Sequence, residues 1–264
     1  MKFSQPSLFI IFSILSIFGC KSKETIKDSW TKSEILFEDS GIENWENKWM
    51  LDGLKAKVVN SNKGMELLAG PEQGENAHHT VLWTKPSFEG NICIEYDYTR
   101  TDTASNFVNI LYFHATGKGD KDFPKDISLW NDKRKVPSMS TYFNNMNTYH
   151  ISYAAFGGKE DSLENDYIRL RRYHPKMDGL TGTDVPEDYF NTGLFKPNVT
   201  YHIQVFKFDD TIEMHIQNKM DTSDLLICKW DASIFPLYNA GRIGLRHMYT
   251  RSARYKDFKV WRLL

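Results

Sequence analysis

The chain has 264 residues, with 33 Lys and Arg set against 34 Asp and Glu and a formal net charge of -1. That balance excludes the broad electrostatic footprint of a nucleic-acid-binding protein, so any anionic ligand has to find a local basic site. Aromatic residues make up 14% of the chain, enough to build a large core and to leave some rings for other work.

In chain order, Lys2 gives a positive start and Leu8 to Phe18 an apolar run too short to cross a bilayer, which reads as the core of a signal peptide. The run ends in Ile17-Phe18-Gly19-Cys20, which resembles a lipobox. Residues 1–19 are therefore expected to be removed and Cys20 to carry a lipid, tethering the protein to the cell envelope by that anchor alone. Residues 20–32 are polar, lack apolar periodicity and read as a linker. Residues 33–264 form one domain, long enough for a substantial core.

Within the domain, apolar and polar residues alternate in short runs bounded by Gly, Asn, Asp or Pro, the pattern of half-buried strands. Strand candidates are Leu54 to Val59, Met65 to Ala69, His79 to Trp83, Ile92 to Thr99, Phe107 to Phe113, Thr148 to Ala154, Tyr167 to Arg172, Tyr201 to Phe208, Ile212 to Gln217, Arg242 to Met248 and Tyr255 to Trp261. Asp209-Asp210 reads as the turn of a hairpin between two of them. About a dozen strands imply an all-β sandwich of two packed antiparallel sheets, of the concanavalin A-like or jelly-roll kind. Lys118 to Met146 and Tyr173 to Pro197 read as long polar loops that wall a site. Cys93 and Cys228 each sit in an apolar run, and their spacing is equally compatible with a disulfide and with two buried thiols.

The residues that carry chemistry are few. There is no His-Glu-x-x-His, Gly-x-Ser-x-Gly, phosphate loop or EF-hand loop, so no metal and no cofactor is expected. Glu95 and Asp97 alternate as in β-sandwich glucanases, but Thr99 and Arg100 stand where a third carboxylate belongs. Cationic strands are more informative. His150 and Ser152 share one strand face with Tyr153 on the other; Arg169 and Arg171 share a face opposite Ile168 and Leu170; Arg246 lies beside Gly244, away from Ile243 and Leu245. If these strands are neighbours, an open sheet face carries a basic cleft. The plainer reading makes each arginine an exposed charge paired with a nearby carboxylate, and that reading is preferred for His202, His215 and His247.

Five segments together resemble the YesU-like family of bacterial β-sandwich proteins: Ala77 to Trp83, Leu111 to Gly117, His150 to Tyr153 with Leu170-Arg171, Gly241 to Met248, and Tyr255 to Phe258. The family's polar pattern falls on His79, His150, Tyr153, Arg171 and Arg246, whereas His114 stands where an apolar residue is usual. The resemblance implies a concanavalin-like or galectin-like fold and a setting in the breakdown of uronate polysaccharides such as pectin or ulvan. Its implied partners are an anionic oligosaccharide or polysaccharide, the membrane through lipid only, and other polysaccharide-degrading enzymes of the same pathway.

β-Elimination from a uronic acid is the chemistry these residues suit. His150 would be the base, with His79 second; Tyr153 or the other histidine would protonate the leaving oxygen; Arg171 and Arg246, with Arg169 nearby, would hold the carboxylate. The reaction is a dehydration when a free hydroxyl leaves and a chain-cutting lyase reaction when a glycosidic oxygen leaves, with dehydration slightly preferred. The alternatives are a non-catalytic carbohydrate-binding lipoprotein and a retaining glycoside hydrolase.

Overall fold

The computed structural model describes residues 30–157, 165–176 and 178–264, so the signal segment and Cys20 lie outside the described residues. The strands, in chain order, are β1 (Lys32–Asp39), β2 (Trp49–Asp52), β3 (Lys57–Ser61), β4 (Gly64–Leu68), β5 (Thr80–Thr84), β6 (Phe88–Glu89), β7 (Ile92–Arg100) and β8 (Phe107–Gly117). They continue with β9 (Met146–Phe156), β10 (Asp166–Tyr173), β11 (Asp184–Phe190), β12 (Thr200–Phe208), β13 (Thr211–Asn218), β14 (Leu225–Asp231), β15 (Ala240–His247) and β16 (Ser252–Leu263), with one short helix, α1 (Met139–Asn145). They form two eight-stranded antiparallel sheets. The first runs β14-β13-β12-β7-β16-β4-β3 with β1 on β16, and the second runs β11-β10-β9-β8-β15-β5-β2 with β6 on β15. The β-sandwich expected from alternation is the fold observed.

Side-chain alternation decides what lies between the sheets. Ile94, Tyr96 and Tyr98 of β7 meet Tyr149, Ile151 and Tyr153 of β9 in one buried cluster, while Glu95, Asp97, His150 and Ser152 face outward. Each fully buried aliphatic or aromatic side chain contributes about 1.5–3 kcal/mol. The phenols of this core satisfy one another: Tyr153 and Tyr255 hydroxyls are 3.1 Å apart, His247 Nε2 is 2.7 Å from the Tyr255 hydroxyl, and Asn109 donates to Tyr98 at 2.6 Å. In β16 the alternation slips at Asp257, whose φ of 52° marks a bulge, and so both Tyr255 and Phe258 reach the core. The β12–β13 hairpin closes through Asp209-Asp210 as expected. Cys93 packs with Phe206 and Leu263 on the outer side of the first sheet, whereas Cys228 lies between the sheets, so the two do not pair with each other.

The two long segments are more ordered than their composition suggests. Residues 118–146 carry a 3-10 turn at Ile127–Arg134 and α1, and residues 173–197 contribute the edge strand β11. The first of these excursions is pinned by one side chain, Asp52, which is fully buried. Its Oδ2 accepts from Trp83 Nε1 at 2.7 Å, Arg134 Nε at 2.6 Å and the Tyr142 hydroxyl at 2.9 Å; its Oδ1 accepts from Asn131 at 2.6 Å. Removing one partner of a buried ion pair leaves the other charge uncompensated. Asp52→Ala is therefore expected to lower the unfolding free energy by about 3–5 kcal/mol in urea denaturation, with the 118–146 segment becoming protease-sensitive. A loss under 1 kcal/mol would show that the excursion is held by apolar packing alone.

Candidate functional site

Register decides which outward side chains become neighbours. On the outer face of the second sheet one row runs Trp83, Gly244, Tyr112, His150, Arg171 and Asp184 across six strands. The adjacent row holds Val81, Arg246, Ile110, Ser152 and Arg169. His150, Arg169, Arg171 and Arg246, distant in sequence, thus share one face. Gly244 has a steric role there, because a Cβ would sit 2.5 Å from the Trp83 ring that lies across it.

This face is not open. The 118–146 excursion lays Tyr142 over it, and Trp83, Tyr112 and Tyr142 stack nearly parallel with centroids 5.5 and 5.9 Å apart, all buried. These rings are core to the excursion and are not free to stack on a sugar. Arg246 is fully buried beneath them. Its Nη2 donates to the Pro137 carbonyl and to His79 Nδ1, each at 2.7 Å, and its guanidinium lies 4.7 Å from the Tyr142 ring. Its Nε and Nη1, His79 Nε2 and the Tyr112 hydroxyl have no hydrogen-bond partner.

His150 is 3% exposed and is held from both sides, Nδ1 by the Tyr173 hydroxyl at 2.6 Å and Nε2 by Ser152 Oγ at 2.7 Å. Burial pushes its pKa well below 6.5, with Arg171, Arg246 and Arg169 adding to the effect. Burial and Tyr112 drive the Tyr173 phenol upward, so its proton stays in place. Burial and Arg246 lower His79 to about 3. At neutral pH the recess therefore contains neutral histidines, neutral phenols and one guanidinium.

The other sequence candidates divide. Arg169 and Arg171 stand at the mouth, but each is paired, Arg169 Nε with Asp188 at 2.8 Å and Arg171 with Asp184 at 2.9 Å. Arg242 likewise pairs with Asp126 at 3.0 Å. The plainer reading of these three arginines is what the structure contains. Tyr153 does not join the site: alternation turns it into the inter-sheet core, and the nearby irregularity at Ala154, with φ of 42°, comes after it. The phenol beside His150 is Tyr173. Continuing the outward alternation of Arg169 and Arg171 by one more step reaches it, but the strand expected to end at Arg172 stops one residue short. Asp52 carries no local signal at all.

The outer face of the first sheet holds the carboxylate pair. His202 bridges Asp97 at 3.0 Å and Glu95 at 3.1 Å, and Glu95 also accepts from Lys32 at 2.9 Å and Trp261 at 2.7 Å. Burial acts to raise Glu95, but His202, Lys32 and Trp261 outweigh it and hold it well below the usual carboxylate range. Asp97 is lowered too, by His202 and Lys219 against its burial. Both stay ionised, which leaves neither with the proton a glycosidase acid must donate. Among the described residues no group of three or more His, Cys, Asp or Glu is placed to hold a metal ion.

Residues 39–260 match the family model described as a domain of unknown function, DUF1961. The chain belongs to the DUF1961 family. No functionally curated protein matches it. Among solved structures it is similar to a protein of unknown function with galectin-like fold from Bacillus subtilis, at 16% identity and TM-score 0.64, covering 89% of this chain and 99% of that one. It is also similar to lectin II from Ulex europaeus, at 7% identity, TM-score 0.56 and coverage of 88% and 99%. A third is the exoplasmic/lumenal domain of VIP36, at 9% identity, TM-score 0.53 and coverage of 83% and 87%. At these identities the likeness extends to the DUF1961 fold and not to its ligand.

The histidines make a pH test. His79, His114 and His247 are each lowered to about 3, chiefly by burial, and His150 is lowered as well. A lowered histidine is neutral when folded and protonated when unfolded, so its stabilising effect is full above pH 6.5 and is lost as pH falls toward 3. His202 is the opposite case: Asp97 and Glu95 raise it to about 9, and its contribution is lost as pH climbs through 9. NMR ring titrations should show four histidines that do not ionise above pH 5 and one with a midpoint near 9. A midpoint for His150 near 6.5 would mean that the recess is wet.

Proposed function

We propose that this DUF1961 domain binds an anionic, uronate-bearing oligosaccharide through the recess of the second sheet. One observation carries the reading: Arg246 is a fully buried guanidinium with no carboxylate partner and two unpaired nitrogens. Buried N–H groups without acceptors are costly, and a ligand carboxylate supplies both the acceptor and the missing charge. The sandwich adds support, since the Ulex lectin was solved with galactose and VIP36 with a mannose oligosaccharide. The sequence resemblance to a uronate-processing family points the same way, and the lipobox-like Ile17-Phe18-Gly19-Cys20 adds an envelope tether.

A second reading, turnover by β-elimination, is favoured by the Tyr173–His150–Ser152 chain. His150 would take the proton from the carbon bearing the carboxylate; the electron pair would move onto that carboxylate, held by Arg246; the C–O bond at the β carbon would break; and Tyr173 would protonate the departing oxygen. Water leaves if that oxygen is a free hydroxyl, and a shortened chain leaves if it is glycosidic. A base with so low a pKa is weak in the empty site. A bound carboxylate offsets Arg171 and Arg246, raising His150 toward the working pH.

The test is to mix the domain with uronate oligosaccharides from ulvan and from pectin, following affinity by calorimetry and unsaturated uronate by absorbance with mass analysis. Under the binding reading affinity is measurable, absorbance is unchanged, and Arg171→Gln weakens binding about tenfold while His150→Ala changes it little. Under the elimination reading absorbance rises, and His150→Ala or Tyr173→Phe lowers the rate by about 10²–10⁴-fold with affinity kept. Absence of binding to every uronate would overturn both.

A further inference from the structure

A buried cation without a carboxylate, the feature that marks Arg246, recurs at the other end of the same strands. Arg172 of β10 and Lys207 of β12 project between the sheets and are fully buried, beside the equally buried His114. Arg172 donates to the carbonyls of Thr148 and Tyr173, and its Nε and Nη2 have no partner. Lys207 donates to the side-chain oxygen of Asn239. Neither cation forms an ion pair among the described residues. Asp209 and Asp210 act to hold Lys207 up, yet burial still lowers it to about 8, and one oxygen of Asp210 is itself unpartnered. Burial, Lys207 and Arg172 lower His114 to about 3, so it adds no charge. Two buried cations in this state call for an anion.

Just outside them is a cavity of about 520 Å³ lined in part by Lys118, Lys125, Asn147, Tyr238 and Asn239. One side chain separates it from the cations: the Tyr238 ring lies 3.7 Å from the Arg172 guanidinium, and Asn239 holds the Lys207 ammonium. Asn147 is more than nine-tenths buried and keeps its side-chain oxygen unpaired, an acceptor ready for a hydroxyl. At the rim Lys118 pairs with Asp120 at 3.1 Å, while Lys125 pairs with no carboxylate among the described residues. Glu89 is the one carboxylate in the described lining.

We propose that this end cavity is a second ligand site, separate from the His150 recess, that binds an oxyanion carried next to a hydroxyl, as in a sugar acid, a sugar sulfate or a sugar phosphate. Lys125 receives the oxyanion at the rim, Asn147 accepts the hydroxyl, and the field of Lys207 and Arg172 crosses the thin Tyr238–Asn239 wall. The site stands on its own residues and does not depend on the recess taking a uronate.

The experiment is thermal unfolding of the domain titrated with sodium sulfate, sodium phosphate and sodium glucuronate, each against sodium chloride at matched ionic strength. At least one of the three anions should raise the midpoint saturably. Lys125→Gln should weaken that response several-fold without altering the anion-free midpoint. Lys207→Met should remove it while keeping or raising the anion-free midpoint, because an apolar chain of similar length replaces an unpaired buried ammonium. Arg171→Gln, at the other site, should leave the response intact. If Lys207→Met does not fold, Lys125→Gln decides. The proposal fails if none of the three anions gives a saturable rise, if the response survives both lysine substitutions, or if Arg171→Gln abolishes it.

Discussion

The architecture of the second sheet's outer face depends on a single buried carboxylate. Asp52 takes four side-chain hydrogen bonds, from Trp83 on its own sheet and from Asn131, Arg134 and Tyr142 on the excursion that crosses it. Each is a charge-assisted bond, stronger than a neutral one. Without them a polar segment from 118 to 146 would have little reason to lie flat on a sheet. With them, Tyr142 closes over Trp83 and Tyr112, and Pro137 reaches Arg246. A face that would otherwise be broad and solvated becomes a recess with a dry floor.

A dry floor changes what its side chains can do. In water His79 and His150 would titrate near 6.5, and arginines would find solvent acceptors. In the recess burial and neighbouring guanidinium groups hold both rings neutral, and Arg246 keeps N–H groups that nothing satisfies. The proposed binding of a carboxylate follows from those two facts, since it offsets the cationic field and fills the empty acceptor position at once. The outer face of the first sheet is built on the contrary principle. There His202, Lys32 and Lys219 already neutralise Glu95 and Asp97, and the network is complete without a ligand.

Period-two alternation made much of this legible in the sequence. It separated His150 and Ser152 from Tyr153, placed Arg169, Arg171 and Arg246 away from the core, and found the β12–β13 hairpin. Which strands are neighbours is set by non-local pairing, and so the row from Trp83 to Asp184 was invisible. Burial of a polar residue was equally hidden: Asp52 follows Trp49-Met50-Leu51 with nothing to mark it as a hub, and Arg246 looked like an outward charge until the excursion covered it. Arg169 and Arg171 looked like free cations because their partners sit on β11, a strand masked by Pro186 and by a loop-like composition. Arg172 and Lys207, buried between the sheets, broke the rule that inward positions are apolar, and only their surroundings reveal it.

The proposal that a carboxylate-bearing saccharide occupies the recess is tested most directly by mapping amide chemical shifts while a uronate oligosaccharide is titrated into the isotope-labelled domain. The perturbations should centre on residues 150–152, 169–173 and 244–246 and saturate together, with the His150 ring moving as well. Perturbations centred on Glu95, Asp97 and His202, or none that saturate, would contradict it.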